Sequence, residues 1–173
     1  LLGLGVWQLE RRAEKLALIA LMDARLAAAP MDAPVAADDL AALDYRAASV
    51  TGRFDHAHEM YFYGRTYRGE AGAHVVTPFL RGDGAGVVMV DRGFVTYAQI
   101  DPNTRADGQD AREVTLSGVL KVPARLGYFV PANDPGRNNW YRFDRAAMAK
   151  FAGVAVASVA PYLFAVSIGT GAG

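Results

Sequence analysis

The sequence predicts an α+β protein: a long N-terminal helix, then a mostly antiparallel curved sheet or partial β-barrel, with one short helix near the C-terminus. Three observations predict it. Residues 5–29 keep a helical spacing of apolar side chains, and after Leu43 the chain breaks into short runs rich in Val, Tyr and Phe. Glycine, Asp and Pro clusters separate those runs.

In the first element, Leu9, Ala13, Leu16 and Ala20 fall on one helical face, and Arg11, Glu14, Lys15 and Arg25 on the other. Pro30 and Pro34 end it, and residues 30–43 read as a linker with one short helical turn. Its start is unusual. LLGLGVW is apolar or glycine throughout and closes on Trp7, after which Glu10, Arg11, Arg12, Glu14 and Lys15 arrive together. A Trp followed at once by charges is how a membrane span ends, with the indole at the headgroups. The run is far shorter than the roughly 20 residues that cross a bilayer, and it lacks the basic start and cleavage site of a signal peptide. Residues 1–29 therefore read as the end of a transmembrane span continuing into a juxtamembrane helix.

Residues 44–165 read as one β-rich domain. AHVVTPFL and GVVMVDRGFV flank RGDGAG, a turn-rich connection that predicts a hairpin. Gly52 and Gly118 each sit inside a strand-like run, where glycine marks a bulge or a sharp bend. Two such bends suit a strongly curved sheet. DPNTRADGQD reads as a surface loop, and GYFVP as a short strand-like run. Asp144 can N-cap a helix over RAAMAKFA, with Gly153 closing it. VAVASVAPYLFAVSI reads as one or two apolar strands, and residues 166–173 as a flexible tail.

Composition narrows the chemistry. With 173 residues, 52% hydrophobic and 21% charged, the chain is long enough for one domain with a core. Eighteen basic residues balance eighteen acidic ones, which argues against nucleic acid as a partner. The absence of cysteine removes thiolate catalysis, disulfides and zinc–cysteine sites.

His56 and His58 stand at the i, i+2 spacing of some metal sites, with His74 as a third ligand. No acid stands at a telling spacing, so the pair reads as a polar strand edge near a turn, and no metal site is assigned. Asp91-Arg92-Gly93 follows a very apolar run; Arg92 there could hold a carboxylate bidentately, or fix a turn with Asp91 while Gly93 takes a left-handed backbone. Arg81-Gly82-Asp83 occurs in a glycine-rich turn and is set aside as chance. Tyr61 and Tyr63 share one strand face and Phe62 the other, which reads as core plus half-exposed tyrosine. In NDPGRNNWYRFD a turn leads through Trp140 to the Asp144 cap. No catalytic residue is assigned.

Four blocks in one order carry a resemblance. LGVWQLERRAEKLALI, YRAASVTGRFDHAHEMYFYGR, VVTPFLRGDGAGVVMVDRGFV, and VTLSGVLKVP with NDPGRNNWYRFDRAAMA resemble the Surfeit locus protein family of cytochrome c oxidase assembly factors. The resemblance runs from about Leu4 to Pro161. The family's Leu-Gly-x-Trp-Gln stretch matches Leu4, Gly5, Val6, Trp7 and Gln8, and its helix cations match Arg11 or Arg12 and Lys15. Val50 to Phe54, with Gly52, match its V-x-G-x-F stretch, and Thr77 and Pro78 its T-P stretch. Arg92 and Gly93 match its Arg-Gly, with Phe94 where an aromatic is usual. Asn133, Asp134, Pro135, Asn138, Trp140, Tyr141 and Asp144 carry the last block.

That resemblance implies two transmembrane helices bracketing a domain in the bacterial periplasm or the mitochondrial intermembrane space. It implies binding of haem a and its placement in the large subunit of cytochrome c oxidase, with haem a synthase as a further partner. A histidine in the second span is the implied haem ligand. After Pro161 this sequence gives YLFAVSIGTGAG, so the expected ligand lies outside it and no haem site is assigned within it. The expected function is a membrane-anchored, non-enzymatic assembly factor for haem a delivery. The alternatives are an interaction module that stabilises an oxidase intermediate without haem, and a hydrolase built on Asp91, Arg92, His56 and His58.

Overall fold

The computed structural model describes residues 2–124 and 130–166; the GYFVP run falls partly, and the tail beyond Val166 wholly, outside them. Helix α1 covers Leu2–Ala27. Among the described residues no helix is long and apolar enough to cross a membrane. The face expected to be dry is exposed at Ala13, Leu16 and Ala20, with Leu16 56% accessible, and Leu18, Ile19, Leu21 and Leu26 elsewhere on the helix are open too. The reason is how α1 is attached. Near its C-terminal end Arg25 donates to the carbonyls of Asp44 at 2.7 Å and Ala41 at 3.1 Å.

The segment read as a linker is built into the domain. Strand β1 (Met31–Asp32) runs parallel to β2 (Ala47–Phe54), and Ala33 is fully buried. Helix α2 (Leu40–Leu43) is capped by Asp39, which accepts from the Ala42 amide at 3.2 Å. Arg81 pins the segment, pairing with Asp32 and with Asp83 and donating to the Ala33 carbonyl. The arginine of the Arg-Gly-Asp tripeptide is thus committed inward, 7% exposed.

Six further strands follow: β3 (Met60–Tyr67), β4 (Glu70–Arg81), β5 (Val87–Thr96), β6 (Val114–Lys121), β7 (Asn139–Trp140) and β8 (Val159–Val166). They lie in the order β1-β2-β6-β8-β5-β4-β3-β7, and β2 also pairs with β4. That extra pairing closes β2, β6, β8, β5 and β4 into a five-stranded barrel, so the curved sheet or partial barrel expected from sequence is a closed one. β4 and β5 form the expected antiparallel hairpin across RGDGAG, whereas β5 and β8 run parallel.

Closure depends on Gly52, which pairs with Val114 of β6 and with Arg81 of β4. A Cβ there would lie 2.1 Å from the Leu80 carbonyl oxygen and 2.8 Å from the Phe79 ring. Gly118 is equally confined, beneath the Phe164 ring and the Ala165 carbonyl. These glycines allow close backbone approach; neither pairing shows a register shift, so the bulge reading gives way to the bend reading. Pro78 sits on β4 between the stretch paired with β3 and the stretch paired with β2, where its missing amide costs no bond on that edge. Its carbonyl accepts from the Asp55 amide at 2.8 Å.

Two cores result. Val50, Phe79, Val88, Val90, Leu116 and Phe164 fill the barrel. On the other face, Met60, Phe62, Val76, Val87, Met89 and Trp140 pack under helix α3 (Arg145–Phe151). The apolar run Val87–Val90 therefore supplies both cores, which is why it lacks alternation. Asp144 caps α3 by accepting from the Ala147 amide at 3.0 Å, and Gly153 takes the left-handed conformation just beyond the helix (φ +68°).

Candidate functional site

A charged cluster lies where β5, the turn before β3 and the loop after β5 converge. Its centre is Glu59, 4% exposed. One carboxylate oxygen accepts from Arg92 at 2.9 Å and from Gln109 at 2.8 Å; the other accepts from Arg105 at 3.0 Å. Burial alone pushes the Glu59 carboxyl up. The hydrogen bonds from Gln109 and Arg105, with the Arg105 and Arg92 charges, more than reverse this and leave it below the usual carboxylate range. The neighbouring Tyr61 hydroxyl, 3.4 Å away, is raised, first by burial and then by the Glu59 charge.

Arg92 reaches this cluster because β5 bulges. His74 of β4 faces Phe94, but Val76 faces Asp91, so β5 carries one extra residue between these pairs. Gly93 provides the turn at φ +111°, and its amide donates to the Asp91 carboxylate at 3.0 Å. Asp91 and Arg92 then go separate ways. Arg92 lies 4.9 Å from the Phe54 ring centre, pairs with Glu59 and donates to the Gly108 carbonyl. Its Nε is buried and has no hydrogen-bond partner among the described residues. Desolvation lowers its affinity for the proton, opposed by the Glu59 charge.

The NDPGRNNW loop joins the same cluster from outside. Asn138, left-handed at φ +57°, donates to the main-chain oxygen of Glu59 at 2.8 Å and accepts from the Trp140 indole at 2.8 Å. Trp140 is fully buried, stacked with Phe62 and edge-on to Phe151. Asn133 braces the loop, accepting from the amides of Tyr141 and Arg142 and donating to the Arg142 carbonyl. Pro135 begins a single 3-10 turn capped by Asp134.

Of the expected residues, Arg92 joins the cluster directly, Trp140 joins it through Asn138, and Asn133 and Pro135 belong to the same loop; Gly93 shapes the bulge and Asp144 caps α3. Gly52 and Pro78 act in the barrel wall. Trp7, Gln8 and Lys15 lie apart on exposed positions of α1, with Arg11 6.0 Å from the Trp7 ring centre.

Several expectations are corrected. His56 and His58 lie in a 3-10 turn and not on a strand face. His56 bonds the Asp110 carbonyl at 2.9 Å, His58 pairs with Asp55 at 2.7 Å, and His74 is on β4 beside Asp91. Among the described residues no group of three or more His, Cys, Asp or Glu could hold a metal. Asp91 and Arg92, offered together for a hydrolase, face different partners. The stretch read as a surface loop is a pair of 3-10 turns over Pro102–Gly108, and it delivers Arg105 and Gln109 to Glu59.

Glu59 itself went unnoticed in the sequence. Its signal was there: a lone acid immediately before the apolar run MYFY, with arginines elsewhere to neutralise it.

The chain is similar to known proteins over most of its length. Surfeit locus protein 1 of Mus musculus is 41% identical over 165 residues, covering 87% of this chain and 54% of that protein. The Homo sapiens protein of the same name is 39% identical, over 87% of this chain and 55% of its own. A SURF1-like protein of Monosiga brevicollis is 40% identical, over 85% and 60%. The chain thus spans little more than half the length of these relatives. The SURF1 family model matches residues 1–170, taking in α1, the barrel and the Glu59-centred cluster alike, and on that match the chain belongs to the SURF1 family.

Proposed function

We propose that this chain is the folded domain of a membrane-anchored assembly factor for cytochrome c oxidase, assisting the delivery of haem a to the large oxidase subunit. The observation that carries the reading is the match to the SURF1 family over residues 1–170. The geometry supports a scaffold: Arg92, Glu59, Asn138 and Trp140 interlock through part-buried hydrogen bonds and hold β3, β5 and the NDPGRNNW loop in one arrangement. Such a network fixes surfaces relative to one another.

Trp7 and the charges after it suit a position at a membrane surface. In this reading the domain lies outside the bacterial plasma membrane, or in the mitochondrial intermembrane space. Haem a supplies the iron–porphyrin centre that the oxidase requires. Among the described residues, the clefts beside the end of β8 hold a single imidazole, His74, among polar and charged neighbours, which does not fit an axially held porphyrin.

A second reading, a docking module that stabilises an oxidase intermediate without haem, is favoured by the exposed apolar side chains Leu16, Leu18, Ile19 and Leu21 on α1.

The test is genetic and spectroscopic. Membranes from cells lacking this gene should contain less haem a per large oxidase subunit, restored by the wild-type gene. An unchanged ratio in the deletion would refute the delivery role. Loss of the oxidase subunits with a normal ratio in what remains would favour the docking module.

A further inference from the structure

Two adjoining clefts, of about 410 and 250 Å³, open where β8 ends, and both are lined by His74, Asp91 and Lys121. The larger has the size of sites for small organic ligands, roughly 300–1,000 Å³. Phe62 and Val76, part of the core under α3, also line the smaller one, beside Arg65. The clefts therefore lie on the same face of the sheet as that core. Positive charge here is not balanced. Lys121 on β6 and Arg65 on β3 are exposed, and among the described residues neither forms an ion pair. Arg92 borders the larger cleft but is held by Glu59.

Among the described residues, Asp91 is the one acid lining either cleft, and it is engaged. Nδ1 of His74 lies 2.9 Å from each of its carboxylate oxygens, and the Gly93 amide donates to one of them at 3.0 Å. An ionised carboxylate only accepts, so Nδ1 carries a hydrogen and Nε2 is the ring atom left for a ligand. The imidazole is 36% exposed and the carboxylate 15%, so the ring is the more open partner. When the ring is protonated, Nε2 donates, and His74 becomes a third cation beside Lys121 and Arg65. These donors come from three strands, β3, β4 and β6. Lysine and arginine both take phosphate, whose oxygens point in several directions, whereas one guanidinium fork satisfies a flat carboxylate. Tyr67 and Phe94, their ring centres 5.7 Å apart, give the larger cleft an apolar side for the rest of a ligand.

We propose that these clefts bind a phosphate group carried on an organic body, with Lys121, Arg65 and Nε2 of protonated His74 donating to its oxygens. Asp91 is the positioning residue of His74. The site is independent of the haem-delivery reading above and stands or falls by itself.

The experiment is calorimetric titration of the full-length protein in detergent with inorganic phosphate, glycerophosphate and phosphatidylglycerol micelles. Lys121→Ala and Arg65→Ala should each weaken binding roughly tenfold, the loss of one charge-assisted hydrogen bond. Lys150→Ala, at an exposed position of α3 outside both clefts, should leave it unchanged. Between about pH 8 and pH 6 the wild-type affinity should rise more steeply than that of His74→Gln. The titration of the ligand itself is common to both proteins and cancels. Thermal melts matching wild type show that the variants are folded. Tighter binding of phosphatidylglycerol than of glycerophosphate places the phosphate on a lipid, and equal binding places it on a soluble ester; either result supports the site. Wild-type affinity in both Lys121→Ala and Arg65→Ala overturns the proposal, as does the absence of binding by all three probes. Neither outcome touches the haem a content of the oxidase, which tests the delivery reading separately.

Discussion

Asn138 donates its side-chain amide to the main-chain oxygen of Glu59 at 2.8 Å, across 79 residues of sequence. The Glu59 carboxylate holds Arg92 and Arg105 at the same time. One residue thus links the Arg-Gly bulge of β5 to the loop that seats Trp140. Its side chain balances charge, and its backbone positions an asparagine.

Removing Arg92 should be costly. Arg92→Ala leaves the Glu59 carboxylate buried with Arg105 as its one remaining arginine, and breaking such a pair costs about 3–5 kcal/mol. Arg92→Lys should recover only part of this, because one ammonium cannot serve both Glu59 and the Gly108 carbonyl. Chemical denaturation of the three proteins measures it; equal midpoints for Lys and Arg would show that the guanidinium fork is immaterial.

The cluster also predicts an acid sensitivity. Glu59 binds its proton less readily in the folded protein than at its ordinary value of 4.5. Its stabilisation is therefore complete above that value and drains away as pH falls through the lower folded one. Denaturation midpoints of wild type and Glu59→Gln, followed from about pH 7 to pH 3, should converge as acidity rises. Parallel curves would mean that Glu59 does not fold as a carboxylate.

Trp140→Ala should destabilise by about 3–5 kcal/mol, since the indole is fully buried between Phe62 and Phe151. Asn138→Ala removes a smaller group but strands two polar atoms, the Glu59 carbonyl and the Trp140 indole N–H. At about 1–3 kcal/mol for each buried group left unpaired, its effect should approach that of a core truncation. A melting temperature within a degree or two of wild type for Asn138→Ala would contradict the network.

Gly52 and Gly93 should fail for different reasons. Gly52→Ala places Cβ 2.1 Å from a backbone oxygen, so β2 and β4 must part and barrel closure is lost. Gly93→Ala meets no atom within 4 Å, and its cost is backbone strain alone, about 1–3 kcal/mol. Circular dichroism and thermal melts separate the two: Gly93→Ala should keep its near-native spectrum with a lowered melting temperature, and Gly52→Ala should not. A native-like Gly52→Ala would show that the strands can yield there.

Much was legible in local chemistry. The helical spacing in α1, the RGDGAG hairpin, the Asp144 cap, the Gly153 stop and the burial of Phe62 opposite Tyr61 all follow from residues within one element or one turn. The resemblance located Arg92, Gly93, Asn138 and Trp140 without saying what joins them.

What only the tertiary structure decided depends on contacts distant in sequence. Barrel closure arises because β2 meets β6 at Val114 and β4 at Arg81 through one glycine, and no local pattern encodes which strand a glycine lies against. His56 and His58 read as a strand pair because spacing alone does not distinguish a strand from a 3-10 turn. The sequence determined a β-rich domain behind a long helix and the side chains available to it. That Glu59 would draw Arg92, Arg105, Gln109 and Asn138 together, while Asp91 turned to His74, was decided by the bulge in β5. There one extra residue shifts the register of β5 against β4 between His74 and Val76, and a buried charge must find its partners wherever the folded chain brings them.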